Sequence, residues 1–314
     1  MSSDVVDQAW NMIVPNQRDG RGFLSNGKLL THYTNAAIAV LGSGELRMRN
    51  ARNMRDQEEI KLGRECVDEF LRSNATALFN ALNSIHLDLY DRLLSLWLLE
   101  KEAQIDQSYI ACLISQSADD EHGSQFHWDN YGSVALCLDP AFLRSEPFLL
   151  GLYLVEVNYG KETVLAGLAD LLTALESQGE LFRQLDHTIL LSFLRHRLFF
   201  DSIASKAESF SREREWRLIH TPFLFASAHL QPQLVRRNGE DQEIYPLKFV
   251  THIGTNIADL EVKNLIRKVL IHPKLGSQAN QLRLDVISQL MNHHVLNASD
   301  RVHFVAKALP DVSQ

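Results

Sequence analysis

Ten residues, Ser211 to His220 (SREREWRLIH), hold two carboxylates, three guanidiniums and a tryptophan. Read as a strand, EREWRLI alternates. Glu213, Glu215 and Arg217 share one face, and Trp216 and Leu218 share the other. Like charges two residues apart on one face disfavour a sheet unless something offsets them. Arg217 can do so, and so can a cationic or hydroxyl-rich ligand. Read as a helix, the stretch reduces to an i, i+4 pair of Glu213 and Arg217, worth about 0.3–0.5 kcal/mol. In that case the run is a solvated face.

Other chemistry-bearing residues lie elsewhere. His32, Tyr33 and Thr34 end the run KLLTHYT. Trp128 and Tyr131 stand in HWDNYG at i, i+3, a spacing that also suits one helical turn packed on a sheet. Asp119, Asp120, Glu121, His122 and His127 crowd a Gly-containing loop, but match no HExxH or Cys/His framework, so no metal is expected. There is no GxGxxG, no P-loop and no G-x-S-x-G elbow around Ser115 or Ser117.

These residues need elements to hold them. KLLTHYT (28–34) reads as a strand, and Asn35 as the cap of a helix ending at Gly42 or Gly44. ELRMRN alternates Leu46 and Met48 with Arg47 and Arg49, a half-buried strand. Residues 56–101 read as a helical insertion. One stripe runs through Ile60, Gly63, Val67, Phe70 and Leu71. Another runs through Leu78, Phe79, Leu82, Ile85, Leu89, Leu93 and Leu96. SYIACLIS, SVALCLD and FLLGLYLVEVNYG read as strands, and 161–200 as a further helical segment. Asn238-Gly239 marks a hairpin. VKNLIRKVLIHP is strand-like toward its end, Gln278–His293 is helical, and RVHFVAKAL reads as a closing strand. Strands and helices mix without regular βαβ alternation, which predicts an α+β fold in a single domain, 1–314.

At 314 residues, 45% apolar and 22% charged, the chain can bury a large core. Its net charge of -8 argues against broad binding to nucleic-acid phosphate, though not against a local basic groove. Lys206, Arg212, Arg214, Arg236 and Arg237 are the candidates for such a groove. The three cysteines, Cys66, Cys112 and Cys137, form no CxxC pair. Cys112 and Cys137 lie in apolar runs and read as small buried hydrophobes in a reduced cytoplasm. No stretch is long enough for a membrane span, and the N-terminus does not read as a signal peptide.

Four patterns occur in order: THYTNAAIAVLGSGEL, HWDNYGSVALCLD, EREWRLI and VLIHPKLGS…VISQLMNHH. This set, from about residue 28 to 308, resembles a widespread bacterial family described as a domain of unknown function. Its members share an H-Y-T, a W-x-x-Y segment before a Gly and a strand, and an E-x-E-W/Y-R strand. Where they usually carry Asn-Asp-Pro-x-Glu, this chain has MRDQEE, keeping Asp56 and Glu59, and Tyr131 is followed directly by Gly132. The same order of signals more distantly resembles the ADP-ribosyltransferase fold, a mixed or antiparallel sheet with an early His and a late Glu strand.

That second resemblance implies an enzyme that uses NAD as substrate, either a transferase or an NAD hydrolase, of the kind found among bacterial toxins and phage-defence effectors. Glu215 would stabilise positive charge on the ribose, and Glu213 would act as base toward an acceptor. His32, with Thr34, would bind ribose hydroxyls, and Tyr33, Trp128 or Tyr131 would stack on nicotinamide. Arg217, with Arg47 or Arg49, would meet the pyrophosphate. The acceptor would be protein or nucleic acid. The alternative is a non-catalytic nucleotide- or partner-binding module with structural carboxylates.

Overall fold

The computed structural model describes residues 3–15, 27–53, 57–143, 151–237, 239–250 and 260–305. Asp56, the Glu59 side chain, Asn238 and the end of RVHFVAKAL fall outside what is described.

After helix α1 (Ser3–Ile13), strand β1 (Lys28–Thr34) leads through α2 (Ala37–Ser43) into β2 (Glu45–Asn50). Helix α2 stops at Gly44. With φ 62° this residue returns its N–H to the Leu41 and Val40 carbonyls, a left-handed cap that glycine adopts without strain. Asn35 does not cap α2 as expected. Its Oδ1 accepts from the Ser133 N–H at 2.9 Å, and Thr34 Oγ1 accepts from the Ala36 N–H at 2.9 Å.

Next come helices α3 (Gln57–Ser73), α4 (Ala75–Ile85) and α5 (Leu89–Asp106), then strand β3 (Tyr109–Ser117). The short helix α6 (Gln125–Asn130), β4 (Val134–Leu138), β5 (Leu152–Glu156) and β6 (Asn158–Tyr159) follow. Helices α7 (Lys161–Ser177), α8 (Gly179–Phe182) and α9 (His187–Ile203) precede β7 (Ser205–Lys206) and β8 (Glu215–His220). The hairpin of β9 (Gln233–Arg237) and β10 (Glu240–Lys248), α10 (Val262–Leu265), β11 (Ile266–Ile271), α11 (Gln278–Asn292) and β12 (Val302–Phe304) complete the described chain.

The fold is α+β around a mixed, mainly antiparallel ten-stranded sheet. Its main path runs β12-β11-β4-β1-β3-β2-β10-β9, and β11–β12 is its parallel pair. The sheet branches at β3. On one edge β1 pairs with Ile114–Ser117 and β2 with Tyr109–Ile110, while the other edge carries β8 along Tyr109–Ile114. β5 then pairs with β8.

Helices cover both faces. Residues of α1, α3, α4, α5, α7 and α9 form one core with Ile110, Val155 and Ile219 of the sheet. Those of α2 and α11 form the other with Leu113, Leu136, Trp216 and Leu218. Period-2 alternation sends neighbouring strand residues into opposite layers, so Leu218 and Ile219 belong to different cores.

The helical blocks run longer than expected, to Asp106 and Ile203. The stripe drawn through Phe79 and Leu96 does not hold as one face. Phe79 is 46% exposed because it sits one residue, about 100° of helix, past the face that Leu78, Leu82 and Ile85 bury, and the break between Ile85 and Leu89, with Asp88 left-handed at φ 62°, separates this helix from the next. Buried Arg197 on α9 ties three helices together. Its guanidinium pairs with Asp201 at 2.6 Å, and donates to the carbonyls of Ile13 at 3.1 Å and Gly167 at 2.7 Å.

α3 crosses the end of α9 at Gly63, where a Cβ would overlap the carbonyl oxygens of Asp201 and Ser202. Gly63→Ala is therefore expected to lower stability by about 1–3 kcal/mol. Thermal unfolding checks this: an unchanged melting temperature would show that the two helices can part at no cost.

Candidate functional site

The charged stretch is neither a solvated face nor a strand throughout. Glu213 closes a 3-10 turn (Glu208–Glu213), Arg214 is left-handed at φ 46°, ψ 44°, and the strand begins only at Glu215. That turn removes Glu213 from the alternation expected of it. Every residue of β8 is buried, and Glu213 is buried with them.

The cation that makes this tolerable is Lys206, which also is buried and so drops out of any surface groove. It lies on β7, beside β6 in a small parallel pair. Its ammonium bonds Glu213 Oε2 and lies 2.5 Å from Glu215 Oε2. Arg217, fully buried, donates from Nε to Glu215 Oε1 at 2.9 Å and from Nη1 to the Ile203 carbonyl. Two carboxylates and two cations thus form a neutral network between β8 and the end of α9. Burial pushes the Glu215 pKa up, but Arg217 and then Lys206 outweigh it and hold the carboxyl down to about 2.

The network is gripped from both sides. Tyr131, just past α6, donates its hydroxyl to Glu213 Oε1 while the residue as a whole stays 43% exposed. His127 Nε2 donates to the Glu213 carbonyl at 2.9 Å, and its Nδ1 lies 2.7 Å from Ser124 Oγ. The Glu215 N–H donates to the Tyr159 hydroxyl at 2.7 Å.

Across β8 lies Cys112 of β3, opposite Arg217 and two pairs from the Ile114–Glu215 match, hence on the same sheet face as Arg217 and Glu215. Its thiol bonds the Glu215 carboxylate. Cys112 is solvent-exposed, contrary to the buried reading. Yet desolvation, and next the charge of Glu215, raise its pKa well above the usual thiol value. The accessible thiol thus borders the buried Glu215 carboxylate. His32, on β1 where that strand leaves β3, donates from Nδ1 to the Cys112 carbonyl at 3.1 Å. Desolvation lowers the His32 pKa, and Arg49 on β2 adds to the effect, so the ring is neutral at pH 7.

The other candidates are placed differently. Trp128 is 1% exposed and donates its indole N–H to the His122 carbonyl at 2.8 Å. Tyr33 packs edge-on against it, with ring centroids 4.6 Å apart, and its hydroxyl accepts from the Ser124 N–H at 2.8 Å. Both belong to a small core beneath α6, and neither presents an open ring face. Thr34 caps the turn after β1. Arg47 and Arg49 are exposed and alternate with buried Leu46 and Met48, as expected. Among the described residues, no group of three or more His, Cys, Asp or Glu is set to hold a metal.

Of the residues singled out in the sequence, Glu213, Glu215, Arg217, Tyr131 and His32 lie in one neighbourhood, whereas Lys206, Cys112 and Tyr159 were missed as their partners. Only Lys206 had a legible signal: two buried carboxylates beside one arginine require a second cation. Comparison with protein-family models, curated proteins and solved structures finds no match. Function is accordingly inferred from geometry. No helix among the described residues is long and apolar enough to cross a membrane.

Because the folded-state pKa of Glu215 is depressed, its stabilisation is present above the ordinary carboxylate value of about 4.5 and is lost as pH falls toward about 2. Glu215→Gln leaves Lys206 and Arg217 undercompensated in the core, and is expected to cost about 3–5 kcal/mol at neutral pH. It should also flatten the acid limb of stability against pH. An acid limb identical to wild type would show that Glu215 does not hold the sheet to the helices.

Proposed function

We propose that the protein is an NAD-using enzyme with an ADP-ribosyltransferase-like core, a transferase or an NAD hydrolase. The observation that carries this reading is the meeting of His32 and Glu215 on Cys112. The early His strand and the late Glu strand flank the same strand β3, one reaching its carbonyl and the other its thiol. Cleavage of the nicotinamide bond builds positive charge on the ribose. A carboxylate that stays ionised at any working pH is suited to stabilise it, and Glu215 is such a group. Neutral His32 is suited to bonding ribose hydroxyls. Glu213, held by both Tyr131 and Lys206, is suited to positioning Glu215 through Lys206 rather than to taking a proton from an acceptor.

The resemblance to the bacterial domain family belongs to the same proposal, as does a role as a toxin or phage-defence effector. A second reading, a non-catalytic nucleotide- or partner-binding module, draws on the completeness of the ion network: every carboxylate oxygen of Glu213 and Glu215 already has a partner.

Nicotinamide release from NAD by purified protein, with and without cell lysate, separates the two. The enzyme reading expects release that falls about 10²–10³-fold in Glu215→Gln, with lysate dependence distinguishing transferase from hydrolase. It also expects a smaller loss in His32→Ala. Release equal in wild type and a folded Glu215→Gln would remove Glu215 from catalysis. No release from either, with no shift of melting temperature by NAD, leaves the binding module.

A further inference from the structure

Around buried Glu213 the surface carries features that the proposed NAD site does not use. Arg212 and Arg214, on either side of it, are exposed, and neither forms an ion pair with a described residue. The Arg212 guanidinium stacks over the half-buried Phe126 ring at 5.4 Å. Tyr131 exposes its ring 6.4 Å from Phe126 while its hydroxyl is anchored on Glu213. The anchored hydroxyl holds the ring in place, so a planar group stacking on it loses little rotamer freedom.

Arg214 adds an independent sign. It is one of few non-glycine residues in the left-handed region, where a Cβ is strained and glycine is not. Strained backbone that is retained at a surface turn points to a function for its side chain. Here the strain turns a guanidinium outward between two buried glutamates. Nearby acids are engaged elsewhere: Asp129 holds the Gln125 amide at 2.9 Å and acts on His272, and Glu208 lies against Gly160. Arg236 and Arg237 sit on β9, the far end of the sheet path, and form no part of this patch.

We infer that the patch of Tyr131, Phe126, Arg212 and Arg214 binds single-stranded nucleic acid. Tyr131 stacks a base, and the two guanidiniums take flanking phosphates. Stacking plus phosphate contact is the sequence-tolerant mode of strand binding. The overall charge of -8 confines it to this local site. Binding here does not require NAD turnover. If the enzyme reading holds, the strand is the acceptor class.

The test is fluorescence anisotropy of labelled oligo-dT and oligo-U twelve-mers with the full chain. Two phosphate contacts on a single strand correspond to a log–log salt slope of about -1.4, or about sevenfold weaker binding between about 50 and 200 mM salt. Arg212→Glu with Arg214→Glu is expected to weaken binding at least ~10-fold at low salt. Arg214→Gly should weaken it less while raising the melting temperature, an outcome that a purely structural arginine would not produce. Binding that is independent of salt, or unaltered by the double substitution, overturns the proposal. So does AMP competing as tightly as the oligonucleotides, which would make the patch a mononucleotide site. Glu215→Gln reports separately on the proposed NAD site: lost nicotinamide release with intact strand binding, or the reverse, distinguishes failure of one reading from failure of the other.

Discussion

A neutral cluster of four buried charges holds the sheet to its helices. Lys206 bridges Glu213 and Glu215, and Arg217 joins Glu215 to the Ile203 carbonyl at the end of α9. Two acids and two bases in a low-dielectric interior are acceptable only together, because removing any one leaves an uncompensated charge. The path of the chain follows from this. β7 must bring Lys206 beside β8, the 3-10 turn must deliver Glu213, and Arg214 must accept a strained conformation to start the strand in phase.

The branch at β3 depends on the same cluster. β8 can run along β3 because its charged face is neutralised from the helical side, while Trp216 and Leu218 fill the opposite core. With β8 on one edge, and β1 and β2 sharing the other, β3 offers Cys112 at a point that His32 reaches from one side and Glu215 from the other. A persistent carboxylate, a neutral imidazole and an accessible thiol then meet at one point of β3. The network therefore serves position and ionisation at once: it holds Glu215 in place and keeps it charged.

Much of the fold was legible because its signals are local. KLLTHYT is β1 with the expected bounds, and the helical segment expected from residue 161 opens as α7 at Lys161. Gly44 ends α2, and the β9–β10 hairpin lies where the turn signal placed it. Failures came where one residue breaks a period. Asp88 splits the stripe between two helices, and Arg214 separates Glu213 from its strand. Cys112 misled for another reason: apolar neighbours in sequence do not reveal whether a strand position is covered or open to solvent.

The amino-acid sequence by itself determined the α+β class, the placing of the helical blocks and the charged stretch as the centre of interest, since period, caps and turn residues act over a few positions. The tertiary structure alone decided which charges pair. Whether Glu213 and Glu215 meet solvent, a ligand or Lys206 depends on how β7 and α9 return to β8, and Trp128 and Tyr33 became core because α6 folds onto β1. Electrostatic partnership across a buried sheet is a property of distance and dielectric, and both are set only when the chain has closed on itself.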